Sequence, residues 1–258
     1  DRRIFERDVR LNVLALQSSQ GLDVATLWRD LGLGKAWQSE SLALFADDTP
    51  TLGDDDARLL LLRDVVGVFA QAKTFGSLID VPAAWLADLL VLQAELEGFL
   101  AESDLIRKRA AGQLLPLLRQ AVLLAQRYDA VVANPPYMGS KGMNAELKGF
   151  AQKNFPDSKS DLFAMFMERG FSLLTDTGFN AQVTMQSWMF LSSYEAMREK
   201  LISRSTLDCM VHMGNGVMGI AFGTAATVFR KTYIESFTGN FSYCENDDLN
   251  EKNVPKEF

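Results

Sequence analysis

The sequence predicts a mixed α/β protein, with a mainly helical region first and then an open sheet covered by helices. Up to Arg127, apolar residues recur every three or four positions, the period of amphipathic helices. After Tyr128 the pattern alternates strand, helix, strand, helix, strand, loop, strand, the signature of α/β units. The first of these strands, Asp129-Ala130-Val131-Val132-Ala133, runs straight into Asn134-Pro135-Pro136-Tyr137.

In the helical region, residues 1–20 read as a helix through Ile4, Leu11, Val13, Leu14 and Leu16, with Gly21 as its stop. Leu22 to Leu33 reads as a short helix carrying Trp28 and ending at Gly32 or Gly34. Thr49 to Asp56 is acidic and turn-rich, so Asp54, Asp55 and Asp56 are expected to cap the helix that follows over 57–69. Phe75 to Ile79 breaks the pattern. From Pro82 to Ala101, Trp85, Leu89, Leu92, Leu96 and Leu100 mark a helix. Ser103 caps the next, which runs to Arg127 with Leu114, Leu118, Val122 and Ala125 on one face and a kink expected at Pro116. The last two read as an antiparallel helical pair.

In the second half, Val131 and Val132 suit a buried strand. It must end at Pro135 and Pro136, because neither proline has an N–H for a ladder and each pushes its predecessor out of the α region. The segment from Met138 to Ser158 reads as a flexible loop, made basic by Lys141, Lys148, Lys153 and Lys159 against Glu146 and Asp157. Ser160-Asp161 caps a helix with Leu162, Phe163, Phe166, Met167 and Phe171, ending near Gly178. Strands follow over 179–188, 207–213 and 224–232, with a helix from Ser192 to Ser203 and a glycine-bearing loop from Gly214 to Gly223. The expected divisions are 1–127 helical, 128–234 α/β, and 235–258 a tail or the start of a further domain.

Composition bounds the function. The 258 residues are 48% hydrophobic and 23% charged, enough for a packed core. No run approaches the roughly 18 apolar residues of a membrane span, and the N-terminus lacks a signal-peptide pattern. Cys209 and Cys244 are too few for a disulfide framework or a structural zinc site, which points to a reducing, cytoplasmic setting. A net charge of −7 is unfavourable for a free-standing nucleic-acid binder, whose affinity comes largely from Lys and Arg on phosphates.

The corner at Asn134 carries the chemistry. In open α/β sheets, ligands bind at the carboxyl ends of strands. A fixed Asn134 carboxamide oxygen and the Pro135 carbonyl are two neighbouring acceptors, suited to an amino group on a flat ring. The ring delocalises that nitrogen's lone pair. Accepting both N–H hydrogens favours pyramidalisation and frees the lone pair for an electrophile, while Tyr137 stacks on the ring.

Asn134-Pro135-Pro136-Tyr137 resembles the motif of amino-group methyltransferases that use S-adenosylmethionine, above all the DNA adenine N6 methyltransferases. The motif is shared with enzymes acting on a protein glutamine or an RNA guanine. The segments Asn134 to Lys141, Ser158 to Arg169 and Phe222 to Lys231 resemble the large adenine-specific DNA methyltransferases of bacterial phage-defence (BREX, phage growth limitation) and restriction-modification systems, and Phe75 to Ile79 resembles a segment upstream in those proteins. The resemblance implies the C-terminal half of a Rossmann-like class I methyltransferase sheet whose last two strands form an antiparallel hairpin. It implies that Asn134, Pro135, Pro136 and Tyr137 form the catalytic corner. Tyr137, Phe222 and Lys141 would bind a base flipped from duplex DNA, with the lysines on phosphates. Asn134 and Phe163 would face the cofactor, and other phage-defence subunits would be partners. The methyl group would arrive in line from the sulfonium, and no strong general base is required. One departure stands out. The family's glycine-rich cofactor loop should follow a strand well before the corner. Gly32-Leu33-Gly34 follows a helical pattern instead, so it fails that context. The expectation is a chain that begins after the cofactor half and stops before any target-recognition domain, or else a non-catalytic interaction module. His212, the only histidine, reads first as structural, while Ser187-Trp188, at the end of its strand on the pocket edge, suits the pocket lining and the core equally well.

Overall fold

The computed structural model describes residues 12–33, 56–102, 104–217 and 220–244, and most of 246–256. The chain divides into two compact units, one up to Gln126 and one from Arg127.

The first unit is helical: α1 (Val24–Leu31), α2 (Ala57–Val68), α3 (Ala72–Phe75), α4 (Leu86–Phe99) and α5 (Leu105–Ala125). Asp23 caps α1 by accepting from the Ala25 and Thr26 amides, and Gly32, at φ +66°, ends it. Asp56 caps α2 through the Arg58 amide. Asp54, Asp55, Ser103 and residues 1–11 lie outside the described residues. The expected stripe on α4 is buried at Leu89, Leu92 and Leu96, and α5 buries Leu114, Leu118, Val122 and Ala125. Each such leucine contributes about 1.5–3 kcal/mol of transfer free energy. Pro116 lies inside α5. Asn12 to Gln17, expected as part of a helix, is irregular. Its backbone bonds to side chains instead: Gln17 N–H donates to Gln120 Oε1 at 2.8 Å, and Gln120 Nε2 returns a bond to the Gln17 carbonyl at 2.9 Å. Among the described residues no single helix is long and apolar enough to cross a membrane.

The second unit is a five-stranded sheet with helices: β1 (Tyr128–Ala133), α6 (Ala145–Asn154), α7 (Leu162–Ser172), β2 (Leu174–Met185), α8 (Glu195–Arg204), β3 (Thr206–Gly214), β4 (Thr224–Arg230) and β5 (Asn240–Tyr243). The strand order is β1-β2-β4-β3-β5. β1 and β2 are parallel, as are β3 and β5, while β4 runs antiparallel to both β2 and β3. The antiparallel pairing of β3 with β4 is the hairpin the resemblance implied. The four co-directional strands end at one edge of the sheet, and β4 begins there.

Several local expectations change. Among the described residues β1 is not a buried central strand: it pairs with β2 alone, and Val132 is 80% exposed. Its valines satisfy strand propensity without a second neighbour among the described residues. The basic segment 138–158 is not a continuous loop. Asn144 caps α6 through the Leu147 amide, and Leu147 and Ala151, one turn apart, bury one face. Its glycines masked a period set by only two apolar residues. β2 begins at Leu174, earlier than expected, because α7 stops at Ser172. Gly178 lies where β2 passes close to β1: a Cβ there would sit 3.0 Å from the Asp129 and Tyr128 carbonyl oxygens. Trp188 follows β2 in a 3-10 turn rather than the strand itself. Part of the expected tail, Asn240–Tyr243, adds β5 beside β3.

Candidate active site

The parallel strands bring four chain turns to the carboxyl edge. Asn134 to Tyr137 leaves β1, Gln186 to Trp188 leaves β2, Phe222-Gly223 enters β4, and His212 to Gly214 closes β3. The sequence-derived residues Tyr137, Phe163 and Phe222 meet here. The Tyr137 ring stands 6.1 Å from Phe163, edge to face, and 5.6 Å from Phe222 at 66°. Phe163 packs in turn on Tyr194 at 5.7 Å. Such aromatic pairs are worth about 0.5–1.5 kcal/mol beyond their buried area.

The corner is held from both sides. Tyr137 Oη donates toward the Val183 carbonyl at 3.2 Å and toward Asn134 Oδ1 at 3.4 Å. Asn134 itself is exposed, Pro135 is buried and Pro136 is exposed. The two prolines therefore present the carboxamide to solvent while anchoring its backbone.

Behind the corner, Asp161 caps α7. Its Oδ1 accepts from the Phe163 amide at 3.3 Å and also from the Met138 amide at 3.0 Å. The Leu162 amide donates to the Met138 carbonyl at 3.1 Å, and Ser140 N–H donates to the Ser160 carbonyl at 2.9 Å. Burial pushes the Asp161 carboxyl above its usual range, against three backbone N–H groups that lower it. Burial, helped by the Asp161 charge, pushes the Tyr194 hydroxyl up to about 12, while a bond with Ser187 opposes the rise. Burial also raises Tyr137. Asp161 was legible as a cap. Its grip on Met138 was not, because that contact spans a long stretch of chain.

The other expected site residues fall in different surroundings. Phe163 is 0% exposed, so it backs Tyr137 rather than lining an open surface. Phe222 is 39% exposed on the rim. Lys141, Lys148, Lys153 and Lys159 are all exposed on α6 and its flanking turns, while Asp157, one of the two opposing acids, pairs with Lys200. His212 has a local partner: its Nε2 lies 2.6 Å from Gln186 Oε1, and its ring stacks on Tyr243 at 4.8 Å. Nothing in the sequence pattern singled out Gln186 or Tyr194.

Among the described residues no glycine-rich turn follows a strand ahead of β1, and no cluster of His, Cys, Asp and Glu forms a metal site. What the corner presents is an exposed carboxamide, an aromatic ring tied at its hydroxyl, and a second ring edge-on to it.

Residues 93–218 match the Eco57I restriction-modification methylase family. The chain is 52% identical over 220 residues to the adenine-specific methyltransferase BrxX of Escherichia coli O9:H4 (strain HS), an alignment covering 85% of this chain and 18% of that protein. It is 34% identical over 209 residues to the adenine-specific methyltransferase PglX of Lacticaseibacillus casei (strain Zhang), covering 74% of this chain and 16% of the relative. A type I restriction-modification methyltransferase subunit from Streptococcus thermophilus has a TM-score of 0.34 and 16% identity, over 48% of this chain and 32% of that one, a likeness too distant to bear on function. The chain spans about a sixth of the length of the curated relatives it matches, and it belongs to the family of adenine-specific methyltransferases that includes BrxX and PglX.

Proposed function

We propose that this chain supplies the target-base side of a DNA adenine N6 methyltransferase acting in bacterial phage defence or restriction-modification. The observation that carries the reading is the exposed Asn134 carboxamide held beside the Tyr137 ring at the edge where Phe222 arrives. Asn134 Oδ1 and the Pro135 carbonyl accept the two amino hydrogens of an adenine drawn out of the duplex, a step that costs a few kcal/mol. Each bond draws the nitrogen toward a pyramidal geometry and turns its lone pair outward. Tyr137 and Phe222 hold the flat ring between them, at about 1–3 kcal/mol per stacked face. S-adenosylmethionine, when bound by the enzyme, supplies the methyl group. Duplex DNA is the partner, with exposed Lys141, Lys148, Lys153 and Lys159 contacting phosphates, and other subunits of a phage-defence system act alongside in the cytoplasm.

The complete encoded polypeptide, incubated with S-adenosylmethionine and duplex DNA and followed by nucleoside mass spectrometry, is expected to give N6-methyladenine. Methylation of a protein glutamine or of RNA, with unmodified DNA, would replace this reading with one of the other amino-group substrates. No transfer to any of these would favour a non-catalytic interaction module.

A further inference from the structure

Asp161 does more than start a helix. One of its oxygens, Oδ1, is shared by two amides from separate parts of the chain: Met138, directly after the corner, and Phe163, in the first turn of α7. The side chain is nearly buried, at 8% exposure. Around it the Leu162 amide bonds the Met138 carbonyl, and Gly139 forms an isolated bridge with Asp161. Tyr137 lies between these restraints. Its hydroxyl is tied to β2 at Val183, its backbone leads into the tethered Met138, and its ring rests on Phe163. The carboxylate therefore sets the distance between the turn that carries the acceptors and the helix that carries the backing ring.

We propose that Asp161 is a positioning residue for the methyl-acceptor site, fixing Asn134 and Tyr137 through Met138. This rests on the target-base reading given above. Ordinary helix capping needs only one acceptor for an amide of the first turn, which a serine provides about as well as an aspartate. Tethering Met138 needs an oxygen one bond further out. An asparagine keeps that oxygen and a serine does not. A misplacement on the order of 1 Å in an acceptor group can cost about a hundredfold in rate.

The test compares Asp161→Ser, Asp161→Asn and Asp23→Ala in the complete polypeptide, with kcat, KM for duplex DNA and the melting temperature measured for each. Asp23 caps α1 in the helical unit and reports the effect of losing a cap elsewhere. The expected result is that Asp161→Ser melts close to the parent yet loses about 10- to 100-fold in kcat, with KM for DNA changed less than about threefold. Asp161→Asn is expected to restore kcat to within about threefold of the parent, and Asp23→Ala to leave kcat unaltered. A parent-like kcat in Asp161→Ser overturns the inference. So does an unfolded Asp161→Ser, because the retained cap is meant to suffice, or an Asp161→Asn as slow as the serine variant. If the parent itself methylates no adenine, the functional reading fails, an outcome distinct from all of these.

Discussion

The rings of Tyr137 and Phe222 stand 5.6 Å apart, centre to centre, with their planes at 66°. A base sandwiched between two parallel rings needs about 7 Å, twice the optimal carbon contact of about 3.5 Å. The slot is therefore closed, and one ring must withdraw for a base to enter. Tyr137 is tied at its hydroxyl and its following amide. Phe222 is 39% exposed at the end of a turn containing Gly214 and Gly216 in the left-handed region. If the target-base reading holds, Phe222 is therefore the ring expected to withdraw.

Phe222→Ala is expected to open the slot and remove one stacking face. Capture of the flipped base, followed by 2-aminopurine fluorescence at the target position, should weaken by about 1–3 kcal/mol. Folding should be little changed, since the ring is on the rim. A variant that captures the base as tightly as the parent would show that Phe222 is not the second face.

The lysines around α6 make a separable prediction. Replacing Lys141, Lys148, Lys153 and Lys159 together by alanine should weaken DNA binding for all sequences alike. For every lysine–phosphate ion pair removed, the dependence of log K on log salt should flatten by about 0.9. Affinity measured from low to moderate salt checks this, and an unchanged slope would place the phosphates elsewhere.

Packing beneath the site sets a stability test. Asn180 and Gln182 on β2 donate to the Met167 and Phe166 carbonyls of α7, and Asn180 Oδ1 accepts from Gln182 Nε2. Gly170 leaves the space for this: a Cβ there would fall 2.5 Å from Asn180 Oδ1. Gly170→Ala must displace a buried, bonded amide, and should cost about 1–3 kcal/mol, seen as a lower urea midpoint for the sheet unit.

Alkaline titration reports on Tyr194. Its hydroxyl is raised to about 12 in the folded protein, above the unfolded value of about 10. A raised folded pKa means that this group's contribution is fully present below about pH 10 and is lost as pH rises through about 12. Tyr194→Phe should flatten the fall in stability across that window, measured by urea unfolding at successive pH values.

How much of this was legible in the sequence depended on the range of each interaction. Asp161 was readable as a cap because capping acts within three residues. Its tether to Met138 was not, because that contact is made only once the turn folds back on α7. The strand ending at Asn134-Pro135 could be located because proline acts locally. Its place at the edge of the sheet among the described residues could not, because propensity records how a residue fits a pleat and not whether a second neighbour is there. α6 was missed because only Leu147 and Ala151 mark its buried face among glycines and lysines. Asn12 to Gln17 read as helical from its apolar residues, yet the segment is irregular and the carboxamide of Gln120 bonds both backbone groups of Gln17. Gln186 and Tyr194 carry no local signature, so only the assembled edge shows them.

The central claim is that Asn134 accepts the amino group that is methylated. The most direct measurement is single-turnover formation of N6-methyladenine in duplex DNA by the complete polypeptide and by its Asn134→Ala variant, with DNA affinity measured in parallel. Here the account predicts that DNA affinity stays within a few-fold while product formation falls by two orders of magnitude or more, roughly the loss seen when one preorganised polar group is removed from a site. Methylation at the parent rate in Asn134→Ala would contradict it.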